Sequence, residues 1–262
     1  MRTSWSIGRL YGIDIRIDSS WLIIFAIITW MLAGYYFPSQ YANWPLWQYL
    51  LIGVTTSLLF FVSVLLHELA HSLVALKQGE EVRSITLFIL GGVAEITEEP
   101  RKPFLEFYMA FVGPLSSLGI AVIFLILWYW LRNISQPLAA LFHYLAIINF
   151  ILGIFNLIPG FPMDGGRILR AVIWKITGNL RKATHIASII GQTIAFLLIF
   201  FGIWQILIGF FFNIRKNYGP GQKEIVYANL IAEQLKNNNI LFEREKTINI
   251  RSIESGKVIG IY

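Results

Sequence analysis

The chain alternates long stretches that carry no charge with short charged connectors. Ser19–Leu66, Phe107–Leu131, Asn133–Met163 and Ala183–Ile214 contain no Asp, Glu, Lys or Arg. A membrane-spanning helix needs about 20 apolar residues, so each window can hold at least one span and the first can hold two. The pattern predicts a first span over about Trp21–Phe37, closed by Pro38, and a second over about Trp47–Lys77, stopping near Gly79. A third covers about Phe104–Leu131 and a fourth about Leu138–Leu157. A stretch broken by Pro and Gly then leads into a shorter helix over about Arg167–Thr177, and a last apolar block runs from His185 to Ile214. Two full crossings at about 20 residues each do not fit that block, so it is one long tilted helix or a shortened pair. Between the second and third spans, Ser84–Ile96 is rich in β-formers and interrupted by Gly91–Gly92, which predicts a hairpin or re-entrant strand. The expected fold is an all-α polytopic membrane protein of about five to six spans with a small membrane-associated β-hairpin.

Composition agrees with the pattern. Of 262 residues, 56% are hydrophobic and only 14% charged, against about 25% charged in an average soluble domain. A disordered chain, an ordinary soluble enzyme and a nucleic-acid-wrapping protein are excluded, and no nucleic-acid partner is expected. The partner this surface demands is the lipid bilayer. There is no cysteine, which removes disulfides and thiolate chemistry. The net charge of +6 is explained by where the basic residues fall. Arg2, Arg9 and Arg16 precede the first span, and Lys77, Arg83, Arg101 and Lys102 follow the second. The loop after the first span has none, and the third is followed only by Arg132. By the positive-inside rule the N-terminus is cytoplasmic, and the second and fourth spans both end on that side. The polar tail Met1–Asp18 leads into the first span without a clear cleavage site, as in an uncleaved signal-anchor.

Against this background one cluster stands out. His67-Glu68-Leu69-Ala70-His71 lies near the end of the second span. Residues i and i+4 share a helix face, so both imidazoles can bind one Zn2+ while Glu68 flanks it as a general base. A carboxylate and two imidazoles in an otherwise charge-free helix are costly unless they have a function, which weighs against a pair of packing histidines. If Lys77 marks the membrane exit, the motif lies about 10–15 Å below the cytoplasmic surface at 1.5 Å per residue. Two histidines leave a catalytic zinc one protein ligand short. The chain has three aspartates, and Asp14 and Asp18 stand in the N-terminal tail. Asp164 stands in Asn156-Leu157-Ile158-Pro159-Gly160-Phe161-Pro162-Met163-Asp164-Gly165-Gly166, at the inner end of the fourth span. Irregular backbone at membrane depth is tolerated where it is buried or lines a cavity, so this segment can meet the histidines. The alternative for Asp164 is an N-cap on the following helix. His143 and His185 are read as packing and interfacial residues.

The two segments together resemble the paired signatures of the site-2 protease family of intramembrane zinc metalloproteases, HExxH followed by NxxPxxPxDGG. The resemblance covers about residues 1–212 and includes the Gly91-Gly92-Val93 hairpin and Gly113-Pro114-Leu115-Ser116, read as a turn in the third span. It implies one zinc ion per subunit, held by His67, His71 and Asp164, with Glu68 activating water. It places Asn156 close to the metal, in contact with substrate or oxyanion. It implies regulated intramembrane proteolysis of a single-pass membrane protein, with the hairpin edge able to pair with an unwound substrate strand; apolar packing is the alternative role for that hairpin. The active site would face the cytoplasmic side of a multi-pass protein of the cell membrane.

Two other classes deserve a place beside this one. A transporter relaying protons or metal ions through buried His, Glu and Asp would be expected to duplicate its broken spans, and the break occurs once. A non-catalytic scaffold derived from the protease would be expected to lose Glu68 or a ligand. Residues 215–262 differ from everything before them, with helical periodicity in Glu224–Asn237 and strand alternation around Phe242–Arg251. The chain is thus divided into a membrane domain over 1–214 and a short α+β tail over 215–262. Gly221-Gln222-Lys223-Glu224-Ile225-Val226-Tyr227 resembles the start of small GxxExxY proteins, and the sequence stops before their acidic catalytic segment. The tail is therefore expected to be an incomplete segment or a partner-binding appendage.

Overall fold

A computed structural model describes residues 4–96, 102–218 and 233. The order of elements is β1 (Ser4–Leu10), β2 (Ile13–Asp18), α1 (Ser19–Met31), a π-helical stretch (Leu32–Tyr36), α2 (Phe37–Gln40), α3 (Leu46–Lys77), β3 (Val82–Phe88), β4 (Gly91–Ile96), α4 (Pro103–Leu131), α5 (Gln136–Asn156), α6 (Asp164–Thr177) and α7 (Leu180–Tyr218). Among the described residues, five helices are long and apolar enough to cross a membrane: Ser19–Gln40, Leu46–Lys77, Pro103–Leu131, Gln136–Asn156 and Leu180–Gly209.

Each boundary has a local cause. Asp18 starts α1 by accepting the backbone N–H of Ser20 at 3.0 Å. Pro38 does not close the first span. It lies inside the helix, which runs on through the π stretch and ends two residues later at Gln40. Gly178, in the left-handed region at φ 67°, ends α6. The Gly113–Pro114 pair makes no turn: it lies inside the continuous helix α4. The final apolar block is one continuous helix, which decides between the two readings of that block.

The largest departure from the sequence reading is at the N-terminus. The polar segment Met1–Asp18, expected as a tail, forms two strands over its described residues, so the hairpin β3–β4 is half of a four-stranded sheet in the order β1-β2-β3-β4. β1 and β2 are antiparallel, joined through Tyr11 and Gly12, both at positive φ (51° and 84°) as a tight hairpin turn requires. β2 runs parallel to β3, with Asp14 opposite Ser84 and Ile17 opposite Leu87. On the exposed rim Arg9 Nε donates to Asp14 Oδ1 at 2.7 Å, and this hydrogen bond holds the Asp14 carboxyl below its usual range. Ile13, Ile15, Val82 and Ile85 form one buried cluster with Leu69, Val74 and Ala75 of α3 and Met109 of α4. The sheet is thereby fixed against the half of α3 that carries the histidines.

At the other end of α3, Tyr49 and Ile52 join Leu32, Ala33 and Phe37 from the first span and Ala140, Leu141 and Leu145 from α5. Gly53 lets the first span approach closely, since a Cβ there would stand 2.8 Å from Ala33 Cβ. Small residues at crossings are how helices pack where lipid removes the hydrophobic drive between them. Contacts divide the chain at Leu197 into two units, Met1–Leu197 and Leu198–Tyr262. The first holds the sheet, α1–α6 and the start of α7; of the second, the described part is the remainder of α7 and residue 233. The readings made for the tail beyond Tyr218, including the Gly221–Tyr227 resemblance, fall outside the described residues apart from that single position.

Candidate metal centre

α3 places His67 and His71 one turn apart with both rings buried, 5% and 4% exposed. α6 begins at Asp164, so the aspartate is the first helical residue and Met163 occupies the cap position; the N-cap alternative for Asp164 does not hold. The stretch before it is drawn tightly together. A Cβ on Gly165 would stand 2.2 Å from the Ile158 carbonyl oxygen, and one on Gly166 would stand 2.5 Å from the Gly160 carbonyl carbon. The two glycines are what let the chain reverse into α6 with Asp164 facing α3.

The three side chains converge on one point. His67 Nε2 and His71 Nε2 each lie 3.1 Å from Asp164 Oδ2, and 3.2 Å from each other. Among the described residues this is the group of His, Asp and Glu that could hold a metal ion. The opposite side of each ring is also engaged. His71 Nδ1 donates to the Met109 carbonyl oxygen at 2.7 Å. His67 Nδ1 pairs with Ser117 Oγ at 2.9 Å. A carbonyl oxygen can only accept, so His71 carries a proton on Nδ1, and in the neutral ring its Nε2 offers a lone pair. With both rings neutral and Ser117 accepting from His67 in the same way, two imidazole lone pairs and a carboxylate oxygen face one point. Such an arrangement is repulsive unless a cation sits among them. Donors around a tetrahedral zinc ion stand about 3.3–3.4 Å apart, within a few tenths of an ångström of the spacing here. The residues fit the ion.

Glu68 and Asn156 flank this centre. Together with His67, Asp164, Gly92 and Met163 they line a cavity of about 660 Å3 whose remaining walls come from α1, α3, α5 and the β3–β4 turn. Gly92 presses on the Glu68 side chain: a Cβ there would lie 2.5 Å from Glu68 Cγ. Asn156 is the last residue of α5, and its Nδ2 donates to the Leu152 carbonyl oxygen at 3.0 Å. His143 instead faces the Trp128 ring, with ring centroids 5.1 Å apart, and neither it nor His185 joins the centre.

Sequence reasoning missed the contribution of α4. Ser117 and Met109 orient the rings, and Gly113 makes room for them, since a Cβ there would stand 2.1 Å from His71 Nε2. A serine buried in an apolar helix is a weak signal, and a backbone carbonyl leaves none at all.

Fold and centre together define a polytopic membrane protein with a His-His-Asp metal site beside a glutamate. The comparisons agree. The profile of peptidase family M50 matches residues 55–136 and 131–200. Zinc metalloprotease MJ0392 of Methanocaldococcus jannaschii is 31% identical over 281 residues, covering 99% of this chain and 78% of its own length. The protein sll0528 of Synechocystis sp. is 41% identical over 229 residues, covering 80% of this chain. The solved site-2 protease from Methanocaldococcus jannaschii superposes with a TM-score of 0.54 at 29% identity, covering 96% of this chain and all of that one. The chain belongs to peptidase family M50, the site-2 proteases, and is a multi-pass membrane protein. It spans little more than half the length of sll0528 and of Rip3 of Mycobacterium tuberculosis, 58% and 53%.

Proposed function

We propose that this chain is a zinc endopeptidase that hydrolyses a peptide bond in or near a transmembrane segment of a membrane-protein substrate. The observation that carries the reading is the convergence of His67 Nε2, His71 Nε2 and Asp164 Oδ2 within 3.2 Å, beside a glutamate lining the same cavity. These three residues would hold one zinc ion, which supplies Lewis acidity and lowers the pKa of water to about 7. Glu68 takes the proton of the attacking water and passes it to the leaving amine. Ser117 and the Met109 carbonyl keep both imidazoles in the tautomer that offers Nε2 inward. Asn156 lines the same cavity and is the residue we assign to the substrate carbonyl or the oxyanion. The cavity is walled by apolar side chains of α1, α3 and α5, as an apolar substrate segment requires. A helical peptide bond is shielded by its own turn, so the substrate must unwind, and pairing with the hairpin edge is one route for it. A single-pass protein supplies such a segment.

The test separates base from ligand. Glu68→Gln keeps volume but removes the base, so zinc should be retained while cleavage of a membrane-anchored peptide falls at least about 10²-fold. Cleavage at the wild-type rate would remove Glu68 from the mechanism.

The charge distribution supports a cytoplasmic orientation for the sheet, the loop after α3 and the centre. The absence of cysteine makes this directly measurable. A cysteine introduced at the exposed position Glu81 should be labelled by an impermeant reagent from the cytoplasmic face; labelling from the outer face would invert the topology.

A further inference from the structure

The face of α4 that serves the centre continues beyond it. Glu106, Met109, Gly113 and Ser117 follow one another at spacings of three, four and four residues, so they form one stripe along the helix. Ser117 and Met109 hold the rings, Gly113 clears them, and Glu106 touches neither. Its side chain is nevertheless fully buried, at 0% exposure. Oε1 of Glu106 accepts Nε–H of Arg170 at 2.6 Å and also the Nη2 group of the same guanidinium.

Arg170 stands on α6, six residues after Asp164, and has a second contact. Its guanidinium carbon lies 5.6 Å from the centroid of Phe161, in the broken segment that leads into Asp164. Between them Arg167 donates from Nη2 to Met109 Sδ at 3.1 Å. Arg170 therefore holds α4 on one side and the lead-in to Asp164 on the other.

Adhesion alone does not explain this choice of residues. Burying two ions is costly, and well-packed apolar residues often join two helices at least as firmly. Both Arg170 donors converge on one carboxylate oxygen, while Oε2 has no hydrogen-bond partner among the described residues. What a directional charged pair adds over two leucines is a fixed angle. α6 advances about 100° per residue, so a small rotation about its axis would carry the Asp164 carboxylate off the histidines.

We propose that Glu106 and Arg170 form a positioning pair that sets the rotation of α6 and thereby aims Asp164 Oδ2 at His67 and His71. The inference rests on reading those three residues as a metal centre. The full chain, purified in detergent, is compared as wild type, Glu106→Gln, Arg170→Met and the apolar double variant Glu106→Leu/Arg170→Met. Three quantities are read: zinc affinity by chelator competition, the unfolding midpoint of the zinc-free protein, and kcat and KM on a membrane-anchored peptide. Each single variant should bind zinc about 10–100-fold more weakly, the scale for groups that orient metal ligands, and should lose kcat rather than gain KM. The apolar pair should recover the unfolding midpoint without recovering zinc affinity. Recovery of both by the apolar pair would reduce the contact to adhesion and overturn the proposal, as would wild-type zinc affinity in the single variants. A wild type that binds zinc but cleaves nothing would refute the proteolytic reading, while the zinc affinities would still decide this one.

Discussion

The two ends of α3 are held by different physics. At its start, the Tyr41 and Trp44 rings stack with centroids 4.7 Å apart, Trp44 leans on Tyr49 at 5.5 Å, and Tyr36 meets Tyr144 edge-on at 4.9 Å. Such contacts are many, individually weak and tolerant of small shifts. At its end, three candidate metal-donor atoms meet at one point, and each ring is turned by a single hydrogen bond on its far side. Dispersion summed over many atoms degrades gradually, whereas a set of aligned donors works only if every angle is kept. The same kind of substitution should therefore cost stability at one end and function at the other.

The largest effect should come from the ligands. His67→Ala, His71→Ala and Asp164→Ala each remove one of three protein donors, so each should abolish zinc retention and reduce proteolysis to background. Metal analysis of the purified variants checks this; full occupancy in Asp164→Ala would remove the aspartate from the centre.

A matched pair of glycine variants then tests the contrast itself. Gly113→Ala puts a methyl about where His71 Nε2 lies, since the built Cβ is 2.1 Å from it, so zinc affinity should collapse. Gly53→Ala meets Ala33 Cβ at 2.8 Å, so it should cost about 1–3 kcal/mol of stability and leave zinc affinity unchanged. Thermal unfolding and zinc titration of both variants are needed, and equal zinc loss in the two would erase the distinction between the ends.

The smallest effect should come from Tyr49→Phe. The hydroxyl donates to the Tyr41 carbonyl oxygen and accepts the Trp44 backbone N–H at 3.2 Å. Losing both bonds should cost about 1 kcal/mol with cleavage unaltered. A large drop in activity would mean that the aromatic end communicates with the centre.

Much of the site was legible because its signals are local. His67 and His71 must share a face on any helix, and the only aspartate outside the N-terminal segment stands in a Pro- and Gly-broken stretch at the inner end of a span. The sheet was half legible. Gly91–Gly92 marks one hairpin, while Ile13, Ile15 and Ile17 alternating with Asp14, Arg16 and Asp18 is a strand signal too short to stand out beside the stronger apolar windows. That strand pairs with residues some 70 positions away, Asp14 with Ser84, and no local pattern encodes such a partner.

The sequence by itself determined where the first four crossing helices begin and end within a few residues and which side chains can ligate a metal, while the last apolar block stayed open between one helix and a pair. These depend on the apolar length of a segment, on its charges and on helical periodicity, all properties of a few consecutive residues. Only the tertiary structure decided that α4 carries the orienting groups. Ser117, Met109 and Glu106 reach His67, His71 and Arg170 across 50, 38 and 64 residues of sequence. A carbonyl oxygen or a buried hydroxyl acquires a role from what packs against it, and that packing exists only once the helices have crossed.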